Sequence, residues 1–495
     1  MLHDARTLSE GDNLDSDVCI IGAGAAGITL AHELIGSGAR VCLLESGGFE
    51  IDPEHQALNR GDNAGLPYHP LDRMRLRAFG GTTGHWAGWC RPPRPFAFPP
   101  RSWIPNSGWP FEYGELEPYV RRAHDLCQLG PYDYAPDFWA DAPERRPLRF
   151  TGGRVKTSVI QFSPPTRFGS TYRADLERAD NVHAWLHANV VRVDTDEAAR
   201  TVTRLEAACL NGPRFSVTAR HYILAAGGLE NARLLLESDH IQRGGLGNGH
   251  DLVGRYFMDH IKFEAAQFQP ARTDLPMAYY LSHDVRGIPI KGVLCFSEEL
   301  LRREKMLECQ FEFAPRPHQR PKMLDSSVGG VIVDASEQSE APPRPWSVYL
   351  RLDPAPNPDS RVTLTDQRDA LGMRRVRLYW RFGDLEKPSY DRATRLLATE
   401  VGRSGLGRMR ITTYENQQWP PPPGGMAPTG FHHMGTTRMH HNPKKGVVDE
   451  NSRVHGMNNL YVAGSSVFPN YEGYPTLTIV ALALRLASHL RTLLS

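Results

Sequence analysis

Charge imbalance is absent from this chain of 495 residues: Lys and Arg number 57 against 56 Asp and Glu, a formal net charge of +1. Such a balance offers no field to draw in nucleic acid or an acidic membrane surface. Cysteine is sparse, seven residues with no Cys-x-x-Cys pair. An odd count without that spacing argues against a disulfide framework or a metal site, and reads as small buried hydrophobes in a reducing compartment. Residues 1–16 lack the apolar stretch of a signal peptide. The longest apolar run, 477–487, is interrupted by Arg485 and falls short of the roughly 20 residues of a membrane span. It is expected to form a buried helix, with the protein cytoplasmic. There is no internal repeat, and the one low-complexity block, 420–423, is a proline run expected to act as a stiff linker.

The length suffices for two or three units, each with its own core. Gly (45) and Pro (39) are plentiful, which favours turns and long connections over a helical bundle. Residues 18–21 (Val-Cys-Ile-Ile) read as a buried strand, 28–35 as a helix and 40–44 as a second buried strand. Between the first strand and the helix stand Gly22, Gly24 and Gly27, spaced G-x-G-x-x-G. The first glycine permits a tight turn, the second lets backbone approach a pyrophosphate, and the third lets the helix lie close to the sheet. The helix start offers unpaired N–H groups to the phosphates, and Glu45, ending the second strand, can accept hydrogen bonds from ribose hydroxyls. This unit marks a dinucleotide site without separating FAD from NAD. Further along, 190–193, 202–209 and 215–224 read as strands, 229–237 and 115–128 as helices, and 459–463 as a strand followed by a loop and a helix after Pro475. Residues 49–133 show little periodicity and are expected to wrap over a scaffold or ligand.

Four segments together resemble the glucose–methanol–choline (GMC) oxidoreductases, which are FAD enzymes, and within them the branch of pyranose oxidase and bacterial sugar dehydrogenases. They are the G-x-G-x-x-G unit; Gly80-Gly81-Thr82-Thr83-Gly84-His85-Trp86; Ala225-Ala226-Gly227-Gly228-Leu229-Glu230-Asn231-Ala232-Arg233; and the C-terminal pair 431–439 and 459–478. The resemblance implies an α/β fold. A Rossmann-like FAD-binding domain, discontinuous in sequence (15–75, 180–255 and 430–495), would stand beside a substrate domain on a large, mostly antiparallel sheet (256–429). Residues 76–179 would cover the flavin and contribute to the substrate domain. It implies FAD contacts from Gly22, Gly24, Gly27, Glu45, Gly81, Thr82, His85, Trp86, Val190, Ala226, Gly227, Gly464, Ser465 and Thr476, and leaves open a covalent flavin link through His85.

Oxidising an alcohol with a flavin needs a base for the hydroxyl proton, the carbon close to flavin N5 for hydride transfer, and donors that hold developing charge. Histidine suits the base, its reference pKa being about 6.5. His432, three residues before Gly435-Thr436, occupies the position of the family's catalytic histidine, with His433 as runner-up. His440 and His441 follow, but no Cys or acidic ligand lies near in sequence, and no metal is expected. Where the family commonly has Asn before Pro-Thr-Leu-Thr, this chain has Tyr474 before Pro475-Thr476-Leu477-Thr478. Either its phenol holds the substrate oxygen, or it packs away and Asn470 or His433 supplies the second contact. Asp259-His260 resembles a family segment beside the active site, without an assigned role. Arg73, Arg75 and Arg77 read as a solvated charge run, and Trp86, Trp89, Trp103 and Trp109 as loop anchors or sugar-stacking surfaces.

The expected function is therefore oxidation of a CH–OH donor, a sugar, cyclitol or glycoside, with oxygen, a quinone or a separate redox protein accepting the electrons. The alternatives are a non-oxidative lyase or isomerase on the same fold, an oxidase of a sterol or other alcohol, a nicotinamide dehydrogenase, and a flavin-binding protein without catalysis.

Overall fold

The two segments Val18–Ile21 and Val41–Leu44 are buried at every residue and pair in parallel. Strands apolar on both faces need cover on both sides, and parallel sheets supply it through crossover helices. In the computed structural model, which describes residues 1–316, 345–412, 419–420 and 429–494, they sit in a six-stranded sheet. Its order is Leu2–Asp4, Val182–Leu186, Val41–Leu44, Val18–Ile21, His221–Leu224, Leu460–Val462, with every pair parallel. Of the proline run only Pro420 lies among the described residues.

Helices Ala25–Glu33 and Gly227–Glu237 follow two of these strands directly. The helix Pro475–Leu494 is long and apolar enough to cross a membrane by length and composition. However, Leu477, Val480, Ala481, Leu484 and Ala487 are buried, and it packs on Ala25–Glu33 and Tyr113–Leu126, as expected of a core helix.

The run 215–224, expected to be one strand, is two. Arg214–Thr218 alternates buried and open residues and joins a four-stranded sheet with Asn13–Asp15, Val202–Ala208 and Asn189–Thr195. His221–Leu224 is buried almost throughout and enters the parallel sheet. The pattern changes from one covered face to two, and the chain turns at Ala219-Arg220 to change sheets.

The third sheet has eight strands. Its path runs Gly407–Ile411, Ile261–Pro270, Trp346–Leu352, Cys309–Pro315, Ile288–Phe296, Val155–Phe162, Trp89–Cys90, with His283–Val285 beside Ile288–Phe296. All pairs are antiparallel. One face carries Phe263, Phe311, Phe313 and Leu350 in a core, with Phe263 stacked on Tyr390 of helix Glu386–Arg403. The alternate residues Lys262, Gln310, Glu312 and Arg351 lie on the other face, as the period of two requires. A small sheet of Arg361–Arg368, Arg374–Tyr379 and Gly61–Asn63 completes the molecule.

The arginine run is not a solvated face. Only Arg73 is exposed. Arg75 and Arg77 pair with the buried Glu230 at 3.1 and 2.8 Å. Glu230 also meets Arg233 at 3.0 Å, which reaches Asp369 at 2.6 Å. Apart from Glu230 and Arg233, three residues apart on one helix, these partners lie far apart in sequence, so linear spacing could not show them. Trp86, Trp103 and Trp109 anchor loops: the first two donate their indole N–H to Thr166 O and Met306 O, and the third stacks on Phe98.

Candidate active site

Parallel strands bring their C-terminal ends to one edge, and ligands of open α/β sheets bind there. That edge carries the turn at residues 22–24, Glu45, the turn at 225–227 and Gly464, each following a strand of the six-stranded sheet. Gly22 has φ +105°, and a Cβ there would lie 2.8 Å from Ala225 O. A Cβ on Gly27 would fall 1.8 Å from Gly22 O. These two glycines are thus required by the protein's own backbone. Gly24, Gly227 and Gly464 differ: nothing lies within 4 Å of a Cβ built on them. Their cradle is open, and Gly24 begins helix Ala25–Glu33 with no side-chain cap, leaving its N–H groups free for a phosphate. These residues fit the FAD that the sequence implies.

Glu45 is buried, and its two oxygens accept from Ala23 N–H at 2.8 Å and Gly47 N–H at 3.0 Å. Burial pushes its carboxyl up to about 6 against these hydrogen bonds. It fixes the glycine turn with one lone pair per oxygen and keeps others for a ribose. Residues 80–86 dock against this turn: Gly80 N–H donates to Ala23 O, and Gly81 lies so close that a Cβ would meet Gly24 Cα at 2.9 Å. Arg167 donates to the carbonyls of Thr83 and Trp86 at 2.8 and 2.7 Å and so holds the loop. Thr82 and His85 are exposed, and partial burial, then Arg167, lowers the His85 pKa. Val190 is buried in strand Asn189–Thr195. Ala226 N–H is held by Asn231 at 2.8 Å, Ser465 donates its hydroxyl to His433 O at 2.7 Å, and Thr476 is half-buried at the start of Pro475–Leu494.

The two adjacent histidines have different surroundings. His433 is buried against Tyr68 and Phe257, and its Nε2 meets no hydrogen-bond partner. His432 is half-buried. Its Nδ1 lies 3.2 Å from the Tyr471 hydroxyl, and among the described residues its Nε2 is taken by no protein group. The same hydroxyl hydrogen-bonds His260 Nδ1, and the His260 and His432 rings lie edge to face at 5.3 Å. Behind them Asp259, fully buried, accepts backbone N–H groups of His260, Gly430 and His432 at 2.8, 3.3 and 3.3 Å and the hydroxyl of Tyr68. Burial pushes His432 down to about 3, aided by the Arg351 guanidinium, and takes His260 well below its ordinary value, aided by His432, Arg351 and Lys262. Both imidazoles are neutral at pH 7.

Tyr474 turns towards the eight-stranded sheet: its hydroxyl donates to Gln310 Oε1 at 2.7 Å and its ring lies 4.3 Å beneath the Arg351 guanidinium. Arg351 donates to Gly473 O at 3.3 Å and occupies the space of a Cβ at Gly473. Asn470 is also committed, accepting from Gly108 N–H and donating to Ala97 O. Lys262 and Lys291 share Glu312 at 2.9 and 2.8 Å and lie over Trp89 at 5.4 and 4.9 Å.

Residues 356–483 match the family model described as GMC oxidoreductase. The chain is 24% identical to the fructose dehydrogenase large subunit of Gluconobacter japonicus, over 96% of this chain and 98% of that one. It is 26% identical to 6'''-hydroxyparomomycin C oxidase of Streptomyces lividus, over 96% and 92%. Among solved structures, formate oxidase superposes with a TM-score of 0.61 at 17% identity, covering 98% of this chain and 99% of that one. Pyridoxine 4-oxidase from Mesorbium loti gives 0.56 at 18%, covering 96% and 98%. Residues 356–483 thus match the GMC oxidoreductase model, and nearly the whole chain is similar to these oxidoreductases.

The structure brings together His432, the nucleotide turns and the loop 80–86, and sets His433 and Tyr474 apart as packed residues. Tyr471 and Arg351 were not singled out by the sequence. Tyr471 lies inside the matched C-terminal segment, where its separation by three from Tyr474 is a signal only in hindsight. Arg351 reaches the site from a strand whose sequence carries no motif.

Proposed function

We propose that this protein is an FAD-dependent oxidoreductase acting on a hydroxyl-bearing carbon of a small polyhydroxylated molecule, a sugar, cyclitol or glycoside. The observation that carries the reading is His432: a neutral imidazole with one nitrogen oriented by Tyr471 and the other open, next to an edge built for a dinucleotide. The turns at Gly22–Gly27, Ala226-Gly227 and Gly464-Ser465, Glu45 and residues 81–86 would hold FAD, which when bound would supply a two-electron acceptor for the substrate carbon. His432 Nε2 takes the hydroxyl proton. Tyr471 fixes the ring, Asp259 fixes the backbone on which the ring stands, and Arg351 faces the charge that develops on the oxygen. Sugar and polyol chemistry is supported by relatives named for fructose and for 2-methyl-1,2-propanediol. A covalent flavin would be attached at His85, and acid precipitation tests this: colour stays with the pellet if the bond exists and moves to the supernatant if it does not.

The assignment is tested by anaerobic stopped-flow reduction of the bound flavin with a panel of sugars and polyols. His432→Ala is expected to keep its FAD absorption and to lose reduction by about 10²–10⁴-fold. Reduction at the wild-type rate in that variant overturns the role of His432.

A further inference from the structure

The group that stands opposite His432 at the site is neither Tyr474 nor Asn470, both committed elsewhere, but His260, and the two histidines are joined in a particular way. Their backbones hang from one carboxylate oxygen, Asp259 Oδ1. Their Nδ1 atoms meet one phenol oxygen, that of Tyr471. A phenol has a single proton to donate, while its oxygen can also accept. The backbone N–H of His260 also faces this oxygen, but it can only donate, and among the described residues no other protein acceptor hydrogen-bonds the Tyr471 hydroxyl. The phenolic proton therefore goes to one imidazole, and the other imidazole must donate its own Nδ1–H to the same oxygen.

We infer that Tyr471 holds His432 and His260 in opposite neutral tautomers, so that one Nε2 carries a lone pair and the other an N–H. The histidine that accepts the phenolic proton at Nδ1 carries its own proton at Nε2 and is a donor. The histidine that donates at Nδ1 has a bare Nε2 and is a base. Both rings are buried enough to stay neutral at pH 7, so neither escapes this constraint by taking a second proton. His432, the more open of the two, is the base, and His260 is the donor to the same substrate oxygen. This division of labour rests on the role of His432 proposed above; the tautomer pairing itself does not.

The arrangement also gives the proton a route. A proton taken from the substrate hydroxyl lands on His432 Nε2. His432 Nδ1–H passes to the Tyr471 oxygen as the phenolic proton passes to His260 Nδ1. The phenol is restored, His432 is neutral again in its other tautomer, and the positive charge rests on His260. Loss of the His260 Nε2 proton to solvent leaves both rings neutral with their tautomers exchanged; the starting pairing returns when His260 takes a proton at Nε2, the relay through Tyr471 runs back and His432 releases its Nε2 proton.

The test uses the FAD-loaded enzyme labelled with ¹⁵N-histidine. Long-range ¹H–¹⁵N correlation spectra at neutral pH report which ring nitrogen is protonated, and His432→Gln and His260→Asn variants assign the two residues. The expected result is Nδ1–H for His432 and Nε2–H for His260. In Tyr471→Phe the pairing should disappear and flavin reduction should slow by about 10²-fold or more, with KM much less affected and the FAD spectrum unchanged. Two imidazoles in the same tautomer in the wild type, which would arise if water took the phenolic proton, overturn the inference. So does a Tyr471→Phe variant with both tautomers and the reduction rate preserved. If Tyr471→Phe does not fold, the wild-type spectrum decides alone. Opposite tautomers together with full activity in His432→Ala would leave the pairing standing and defeat only the catalytic assignment.

Discussion

Tyr474 shows how much one side chain's direction decides. A residue at this position, near the histidine proposed as the base, could reach the substrate, yet its hydroxyl is spent on Gln310 and its ring lies beneath Arg351. Tyr474→Phe is therefore expected to act on stability. It leaves the buried acceptor Gln310 without a partner, a cost of about 1–3 kcal/mol, measurable as a lower denaturant midpoint. The flavin-reduction rate should stay within about twofold, well short of the 10²-fold effect of a lost catalytic group; a large drop would return Tyr474 to the substrate. Gly473 matters for a related reason. Its missing Cβ is what admits the Arg351 guanidinium, so the residue before Tyr474 and a strand far from it in sequence together build this corner.

At the scale of elements, the helix Gly227–Glu237 begins at the nucleotide edge and is held from behind by charge. Glu230 collects Arg75, Arg77 and Arg233 within one buried cluster. Removing one partner of such a set leaves charges buried and uncompensated. Glu230→Ala is expected to cost about 3–5 kcal/mol, read from denaturant unfolding, and to weaken FAD retention because the turn at Ala226-Gly227 loses its support. The elements that sequence made legible are those whose signal is local. The strand–turn–helix of residues 18–33, the turn after His221–Leu224 and the helix from Pro475 each announce themselves by apolar runs and glycine spacing. So does the candidate base, through His-His-Met-Gly-Thr. What stayed hidden depends on partners from elsewhere: the splitting of residues 214–224 between two sheets, the burial of Arg75 and Arg77, and the meeting of His260 with His432 through Tyr471. Each is a contact between segments whose own patterns are silent about it.

Taken as a whole, the molecule buries titratable groups of both kinds, and their signs set how stability responds to pH. His432 and His433 fall to about 3 through burial, so between pH 6.5 and 3 the unfolded chain binds protons that the folded one refuses, and stability falls as pH falls. Glu308 and Glu312, held down to about 2 by their Arg and Lys partners against burial, add to that loss below about 4.5. Glu45 and Asp259, raised to about 6, and Glu472, raised to about 8, by burial, act oppositely: here the folded state binds the proton, and stability falls as pH rises from about 4.5 through these values. The two sets oppose each other between pH 4.5 and 6.5 and reinforce nowhere above it. The expected curve is shallow over that interval and drops steeply below about 4.5, as thermal unfolding across a pH series would show; a steep fall already at pH 6 would mean the carboxyls are not raised. The sheet edge has a further consequence, in the life of the chain before it is an enzyme. The strand Leu460–Val462 pairs with His221–Leu224, and Gly464 completes a cradle whose first glycines, Gly22 and Gly24, stand far earlier in the chain. Domains generally fold as units while the N-terminal parts emerge first, but this one cannot close until its last segments are available. The nascent chain must hold the apolar edge at His221–Leu224 open until Leu460–Val462 has been made, so the complete cofactor cradle assembles only once that strand is available.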